Sequence, residues 1–256
     1  MSPHEAGTPP PSIAEIPGPG PRILAGTSGF AFAEWKGGFY PADLRQERML
    51  GFYAEHLPSV EINVSFYRMP TSKMLEDWRG QTPASFRFAI KAHRRITHVK
   101  RLRDVDDDVR WLCERVTELG DRLGPVLFQL PPSFRQDLPL LESFLATLRP
   151  LPYVAIEFRH ATWHADATYD LLRRHRVALC IAEDEASCEP LVHTASFGYY
   201  RLHRMQYTPV QLEGWAEHLR AAAELRPIFC YFTHETGPEA VAYARALMNL
   251  VSPGPP

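Results

Sequence analysis

Eight short apolar runs, rich in β-branched and aromatic residues, recur along the chain, with helix-periodic segments in the gaps. The runs are ILAGTS (from Ile23), SVEINVS (from Ser59), FRFAIKA (from Phe86), PVLFQL (from Pro125), YVAIEF (from Tyr153), VALCIAE (from Val177), YYRLH (from Tyr199) and PIFCYF (from Pro227). Both faces of each run are apolar, as in parallel strands covered on each side. The spacing predicts helices over 43–56, 106–123, 138–148, 165–175, 209–225 and 238–250, and another that Thr71 caps and that carries Met74, Leu75 and Trp78. Pro209 and Pro238 stand at first turns, where proline is tolerated. The sixth crossover, 184–197, is short and turn-rich and is the weakest element of the pattern.

Strands alternating with helices, with no Gly/Pro/Ser-rich linker between them, predict an α/β fold: a single (β/α)8 TIM-type barrel with a short sixth crossover. The alternative is an open doubly wound sheet, against which GTSGF after the first run lacks the GxGxxG spacing. The barrel domain is expected over 22–251. A Pro/Gly-rich stretch, 1–21, reads as a disordered or extended arm, and 252–256 as a frayed tail.

Five runs are interrupted near their ends by polar side chains two residues apart: Glu61/Asn63, Lys91/His93, Glu157/Arg159, Arg201/His203 and Thr233/Glu235. In a strand, residues i and i+2 point the same way, about 7 Å apart. A buried ionic group without partners costs several kcal/mol, so repeated intrusions call for a shared explanation. The economical one is a polar pocket at the C-terminal strand ends, where barrels carry their sites. Gln129 joins it from the fourth run.

The 256 residues carry a net charge of only −2, which gives no global pull toward nucleic acid or anionic membrane. No run reaches the roughly eighteen apolar residues of a membrane span. Cys113, Cys180, Cys188 and Cys230 show no CxxC or CxxH spacing, which favours unpaired thiols in a reducing, cytoplasmic setting over thiolate-bound zinc.

Within the pocket, cations (Lys91, Arg159, Arg201) outnumber carboxylates (Glu61, Glu157), which favours a small anionic ligand such as a phosphate or carboxylate. Arg159 and Arg201 are the expected clamps. Glu157, two residues from Arg159, is expected ionised, as a base or anchoring carboxylate. His203 is the general acid/base candidate on intrinsic pKa. The bland alternative is a structural lattice in which Glu61, Lys91, Glu157 and Arg201 neutralise one another; Asn63 and Gln129 would then be internal hydrogen-bonding groups. No cofactor is expected. A divalent metal on His93, His203, His234, Glu61 and Glu157 is a lesser reading, without HExxH or HxH spacing and with cations nearby.

Aromatics follow the strands: Phe30, Phe32, Trp35, Phe39 and Tyr40 after the first, Phe66 and Tyr67 beside Arg68 after the second, Trp163 after the fifth. They either stack on a sugar or base at the rim or form a satellite core over the barrel top. Of two basic clusters, 172–176 lies late in a helix and suits a solvated face, whereas 97–104 follows the third strand and supports nucleic acid as a minority partner.

The motifs GTSGF…W, VEINVSFYRMP, FRFAIKA…ITH, LGPVLFQLPPSF, AIEFRHATW and YYRLH, in this order, resemble the YecE-like family, domain of unknown function seventy-two. The resemblance covers nearly all of 23–250. It implies a TIM-type barrel with xylose-isomerase-like and apurinic-site-endonuclease relatives, and no established reaction. It matches family-typical residues at Glu61, Asn63, Tyr67, Arg68, Lys91, Gln129, Glu157, Arg159, Arg201 and His203. Four positions depart from that pattern: Arg204 stands for a glycine, Thr233-His234 for an asparagine pair, and Tyr243 for a later asparagine. If those asparagines position substrate, this chain takes a different ligand or has lost activity.

Three functions fit. The first is an enzyme, a hydrolase or isomerase, on a phosphorylated or anionic sugar- or nucleotide-like substrate, with Glu157, His203, Lys91 and Glu61 as catalytic groups. Arg159, Arg201, Asn63, Gln129, Tyr67, Arg68 and Trp35 would bind the substrate. The others are a non-catalytic ligand or nucleic-acid binding module and, by fold analogy alone, a metal-dependent phosphodiesterase.

Overall fold

The computed structural model describes residues 23–223, 227–233 and 237–252. The whole of the arm expected at 1–21, the tail beyond Ser252, and His234 and Glu235 lie outside them. Eight parallel strands alternate with helices: β1 (Ile23–Thr27), α1 (Met49–Ala54), β2 (Ser59–Ile62), α2 (Ser72–Gln81), β3 (Arg87–Lys91), α3 (Asp106–Thr117), β4 (Leu123–Gln129), α4 (Leu138–Thr147), β5 (Val154–Glu157), α5 (Asp166–His175), β6 (Ala178–Glu183), β7 (Gly198–Leu202), α6 (Pro209–Ala223), β8 (Ile228–Phe232) and α7 (Glu239–Val251). The strand order β1-β8-β7-β6-β5-β4-β3-β2 is that of a TIM-type barrel.

Strand parity sorts the apolar side chains into two cores. Leu24, Ala89, Leu127, Ala155, Tyr199 and Tyr231 fill the barrel, while their neighbours Val60, Phe88, Val126, Ile156 and Tyr200 face the helices. Both strand faces are therefore apolar, which is why the runs carry no polar alternation. No helix among the described residues is long and apolar enough to cross a membrane.

The barrel closes between β1 and β2 through a single backbone bridge, Ser28 to Glu61. Below it, the Tyr53 hydroxyl from α1 accepts from the Thr27 amide at 2.9 Å and donates to the Ser59 carbonyl at 3.1 Å, satisfying groups that a full strand ladder would have paired. Gly26 permits this approach, since a Cβ there would lie 1.9 Å from the Ser59 carbonyl oxygen.

Two helices are shorter than expected. The first helix is only Met49–Ala54, after a 3-10 turn at Gln46–Arg48, because Arg45 is extended. The third ends at Thr117, and Gly120 then takes a left-handed φ of +56° to turn the chain into β4. The sixth crossover is turn-rich, as its sequence predicts, and holds no helix. Asp184 accepts the amides of Ala186 and Ser187 to make a turn, and Thr194 then binds the backbone of Val177 and Leu179, so the chain returns along β6.

Candidate functional site

Strands β2, β5 and β7 each carry an inward-facing charged residue at their last or next-to-last position, and these three meet inside the barrel mouth. The Arg201 guanidinium donates from Nε and Nη2 to the Glu61 oxygens, both at 3.1 Å, and from Nη1 to Glu157 Oε2 at 2.8 Å. Glu61 also accepts from Ser28 and from the Tyr199 hydroxyl, each at 2.6 Å. Glu157 accepts from Gln129 Nε2 at 2.8 Å and pairs with Arg159 Nε at 2.6 Å. Both carboxylates have no exposed surface, and Arg201 is 5% exposed.

This floor is electrostatically self-consistent. Burial pushes the Glu157 carboxyl up, but Arg201, Arg159, Gln129 and Lys91 outweigh it and hold it below the ordinary carboxylate range. Burial opposes the Arg201 charge, yet Glu61 and Glu157 raise its pKa well above the usual guanidinium value. Removing one partner would strand a buried charge, so the three residues stand or fall together.

Above the floor, the second members of these three sequence pairs, Asn63, Arg159 and His203, lie past their strand ends. Glu157 is buried and Arg159 is 35% exposed in its side chain; Arg201 is buried and His203 exposed; Glu61 is buried and Asn63 half-buried. The pairs thus form two storeys, a buried ionic floor and a polar rim. Arg159 is held by Glu157, with no second carboxylate paired to it among the described residues. The Asn63 Oδ1 is buried and meets no donor there.

Lys91 ends β3 on the same inner face as Ala89 and is half-buried. Its Nζ stands 4.6 Å above the Phe66 ring, a cation–π contact, and has no ion pair among the described residues. Burial, followed by the Arg201 charge, lowers its pKa, and Glu61 and Glu157 only partly offset this. His93 is tied down at both ring nitrogens: Nδ1 accepts from the Arg95 amide, which makes Nε2 the donor to the Tyr67 carbonyl at 3.0 Å. Tyr67 is 68% exposed and Arg68 is exposed beside it.

Trp35 is a correction. It is 1% exposed and packs on Phe32, Phe39 and Tyr40, so it presents no open face to a ligand. These residues form the satellite core over the barrel top. Trp163 does the same for β5, stacking on Phe158 at 4.5 Å and donating to the Phe134 carbonyl.

Several polar groups near the mouth carry no signal in strand pairs. Ser28 and Tyr199 were readable by parity, two residues from Gly26 and Arg201. Glu183 ends β6 but faces outward, binding Arg204, Tyr207 and Trp215. Glu189, in the helix-free crossover, contacts His164 Nε2 at 2.7 Å, a distance that holds a proton between them. Burial, then the Glu157 charge, pushes the Glu189 carboxyl up to about 7, while burial pushes the His164 imidazole down. Among the described residues no three His, Cys, Asp or Glu side chains converge as metal ligands, and all four cysteines are free. Two hollows of about 440 Å³ lie on the outer helical layer, one at α4 and α5 and one beside α3, away from the charged floor.

The basic segment after β3 is largely neutralised within the chain. Arg95 and Lys100 pair with Asp108, and Arg103 with Asp137. The cluster at 172–176 ends α5 with Arg173 on Asp170 and Arg174 near Glu142, a solvated face.

The family described as "Protein of unknown function DUF72" matches residues 24–255. This chain is a DUF72 protein. It is 36% identical over 114 residues to the UPF0759 protein YecE of Escherichia coli K12, covering 44% of this chain and 42% of YecE. It is 27% identical over 140 residues to the UPF0759 protein YunF of Bacillus subtilis, covering 51% and 49% of the two chains. The match thus spans half or less of the length of these curated relatives. A DUF72 family protein from Thermotoga maritima superposes with a TM-score of 0.79 at 25% identity, over 90% of this chain and 98% of that one. One from Enterococcus faecalis superposes at 0.75, with 17% identity, over 90% and 95%, and shares the fold.

Of the residues expected to depart from the family pattern, Arg204, Thr233 and Tyr243 are among the described residues and share one side of the barrel. Arg204 binds Glu183 at 2.8 Å. Tyr243 packs on Tyr207 and Phe232, and Thr233 shares a hydrogen bond with Ser28 at 2.9 Å. In this DUF72 protein those positions are tied into packing between β6, β7, β8 and α7.

Proposed function

We propose that the barrel mouth binds a small anionic, hydroxyl-bearing molecule, a phosphorylated sugar- or nucleotide-like compound, and acts on it as an enzyme. The observation that carries this reading is the layering of charge. Two buried carboxylates are matched by Arg201 and Arg159, which leaves Lys91 as a basic group with no carboxylate of its own among the described residues. Arg201 spends all three guanidinium nitrogens on the floor, so the anion clamp passes to the exposed Arg159, with Lys91 beside it. Asn63 Oδ1 supplies an acceptor for a ligand hydroxyl. Gln129 borders the floor from β4.

In this reading Glu61 and Glu157 anchor the cations, Glu157 orienting Arg159, and proton transfer falls to the exposed His203 at the rim. Tyr67 and Arg68 cover the ligand from the loop after β2. Nucleic acid receives less support, because the basic loop it would use is paired with Asp108 and Asp137.

Thermal unfolding of the full chain with ribose 5-phosphate, nucleoside monophosphates, inorganic phosphate, short DNA and divalent metals tests the reading. A ligand at a hundred times its Kd raises stability by about 2.7 kcal/mol, a shift of about 5–10 °C for a domain of this size. The shift is expected with a phosphorylated sugar or nucleotide and to vanish in Arg159→Met. No shift with any of them, or one that Arg159→Met leaves intact, overturns it.

A further inference from the structure

We infer that Lys91 is an amine nucleophile that condenses with the carbonyl carbon of an aldose- or ketose-type ligand, so that the barrel mouth carries Schiff-base chemistry. This deepens the preceding reading and rests on it for the ligand's anionic end. Three observations support it. Lys91 stands at a C-terminal strand end on the inner barrel face, where substrate is reached. Its Nζ lies over the Phe66 ring at 4.6 Å, and no carboxylate among the described residues pairs with it, since Glu61 and Glu157 are turned to the arginines. Finally, the groups that act on it electrostatically are Arg201, Glu61, Glu157 and Arg159, with His98 nearby.

Burial and the Arg201 charge favour the neutral, nucleophilic amine and outweigh the two carboxylates, which favour the ammonium, as does the Phe66 ring. Arginine cannot take that role. The contrast has weight here, because the chain uses arginine for 24 of its 28 basic residues and lysine for only four. Lys36 and Lys73 are exposed, and Lys100 is paired with Asp108. A residue needed only to attract an anion would serve as well, or better, as arginine.

In the reaction the Nζ lone pair adds to the carbonyl carbon while the carbonyl oxygen takes a proton, and Nζ then loses one to give a neutral carbinolamine. A proton delivered to its hydroxyl lets water leave as the C=N bond forms, and the resulting iminium nitrogen gives a proton back to solvent. Amine and carbonyl become imine and water, with no change of oxidation state.

The test uses reductive trapping with two probes. Formaldehyde and cyanoborohydride at neutral pH report amine reactivity without a binding site, and peptide mapping compares Lys91 with Lys36 and Lys73. Methylation of Lys91 ahead of the two exposed lysines is expected; methylation behind them overturns the inference. Ribose 5-phosphate with cyanoborohydride is expected to add one sugar phosphate less one oxygen atom at Lys91, and the adduct is expected to be lost in Lys91→Arg. Unfolding of Lys91→Arg is followed in parallel to establish that it folds. Stabilisation by ribose 5-phosphate without an adduct at Lys91 overturns the Schiff base and leaves the anion pocket standing. Fast methylation with no ribose 5-phosphate effect sinks the anion pocket and upholds the reactive amine.

Discussion

Replacing Arg201 with methionine keeps the length of the side chain and removes the cation that Glu61 and Glu157 share. Glu157 retains Arg159 at 2.6 Å and Gln129 at 2.8 Å, whereas Glu61 keeps only the hydroxyls of Ser28 and Tyr199. The damage therefore concentrates on Glu61, a carboxylate with no exposed surface. Breaking a buried pair by removing one partner costs about 3–5 kcal/mol. For a domain of this length that is a fall in Tm of roughly 6–20 °C. Urea unfolding at pH 7 measures it. The loss is expected to shrink when Glu61→Gln is added to the Arg201 variant, because no carboxylate is then left stranded. A loss below about 1 kcal/mol, as for a solvated surface pair, or one that Glu61→Gln does not relieve, would refute the buried floor.

Tyr53→Phe removes the hydroxyl that bridges β1 and β2, and is expected to cost about 1–3 kcal/mol, with faster hydrogen exchange at the Thr27 amide. Gly26→Ala forces a Cβ against the Ser59 carbonyl and is expected to destabilise more than Tyr53→Phe in the same urea assay. Glu157 has a folded-state pKa below the ordinary value of 4.5, so its stabilisation is full above that value and lost as pH falls through the folded pKa; Glu157→Gln should flatten that acid limb in a pH series of unfolding free energies. Glu189 has the opposite sign. Its folded pKa of about 7 exceeds the ordinary 4.5, so the folded state holds a proton that the unfolded chain releases, and stability falls as pH rises from 4.5 to 7. Glu189→Gln should remove that slope and gain on the wild type most at pH 8.

The barrel was legible because each strand is covered on both faces and reads as an unbroken apolar run. Its ionic floor was legible for the same reason: Glu61, Lys91, Glu157 and Arg201 interrupt those runs at the one end where a barrel opens. Parity carried further than expected, since it also sorts Glu61/Asn63, Glu157/Arg159 and Arg201/His203 into a buried and a more exposed storey. What it could not supply was the direction of residues past the strand ends, where the period of two lapses. Trp35 thus looked like a rim aromatic, although the loop after β1 folds it into its own apolar cluster. Glu189 and His164 stayed hidden because the crossover that carries Glu189 has no helix, and its position comes from the Asp184 turn and from Thr194 pinned to β6. The length of α1 was misjudged because its apolar spacing continues through a turn that Arg45 keeps extended.

A diffraction structure of the full chain grown with ribose 5-phosphate would decide whether these strand ends make one binding site. The expected result is a phosphate on Arg159, with the sugar carbon chain reaching Lys91 above an intact Glu61–Arg201–Glu157 bridge. An ordered sugar phosphate elsewhere on the surface, or Arg201 turned outward from two separated carboxylates, would contradict it.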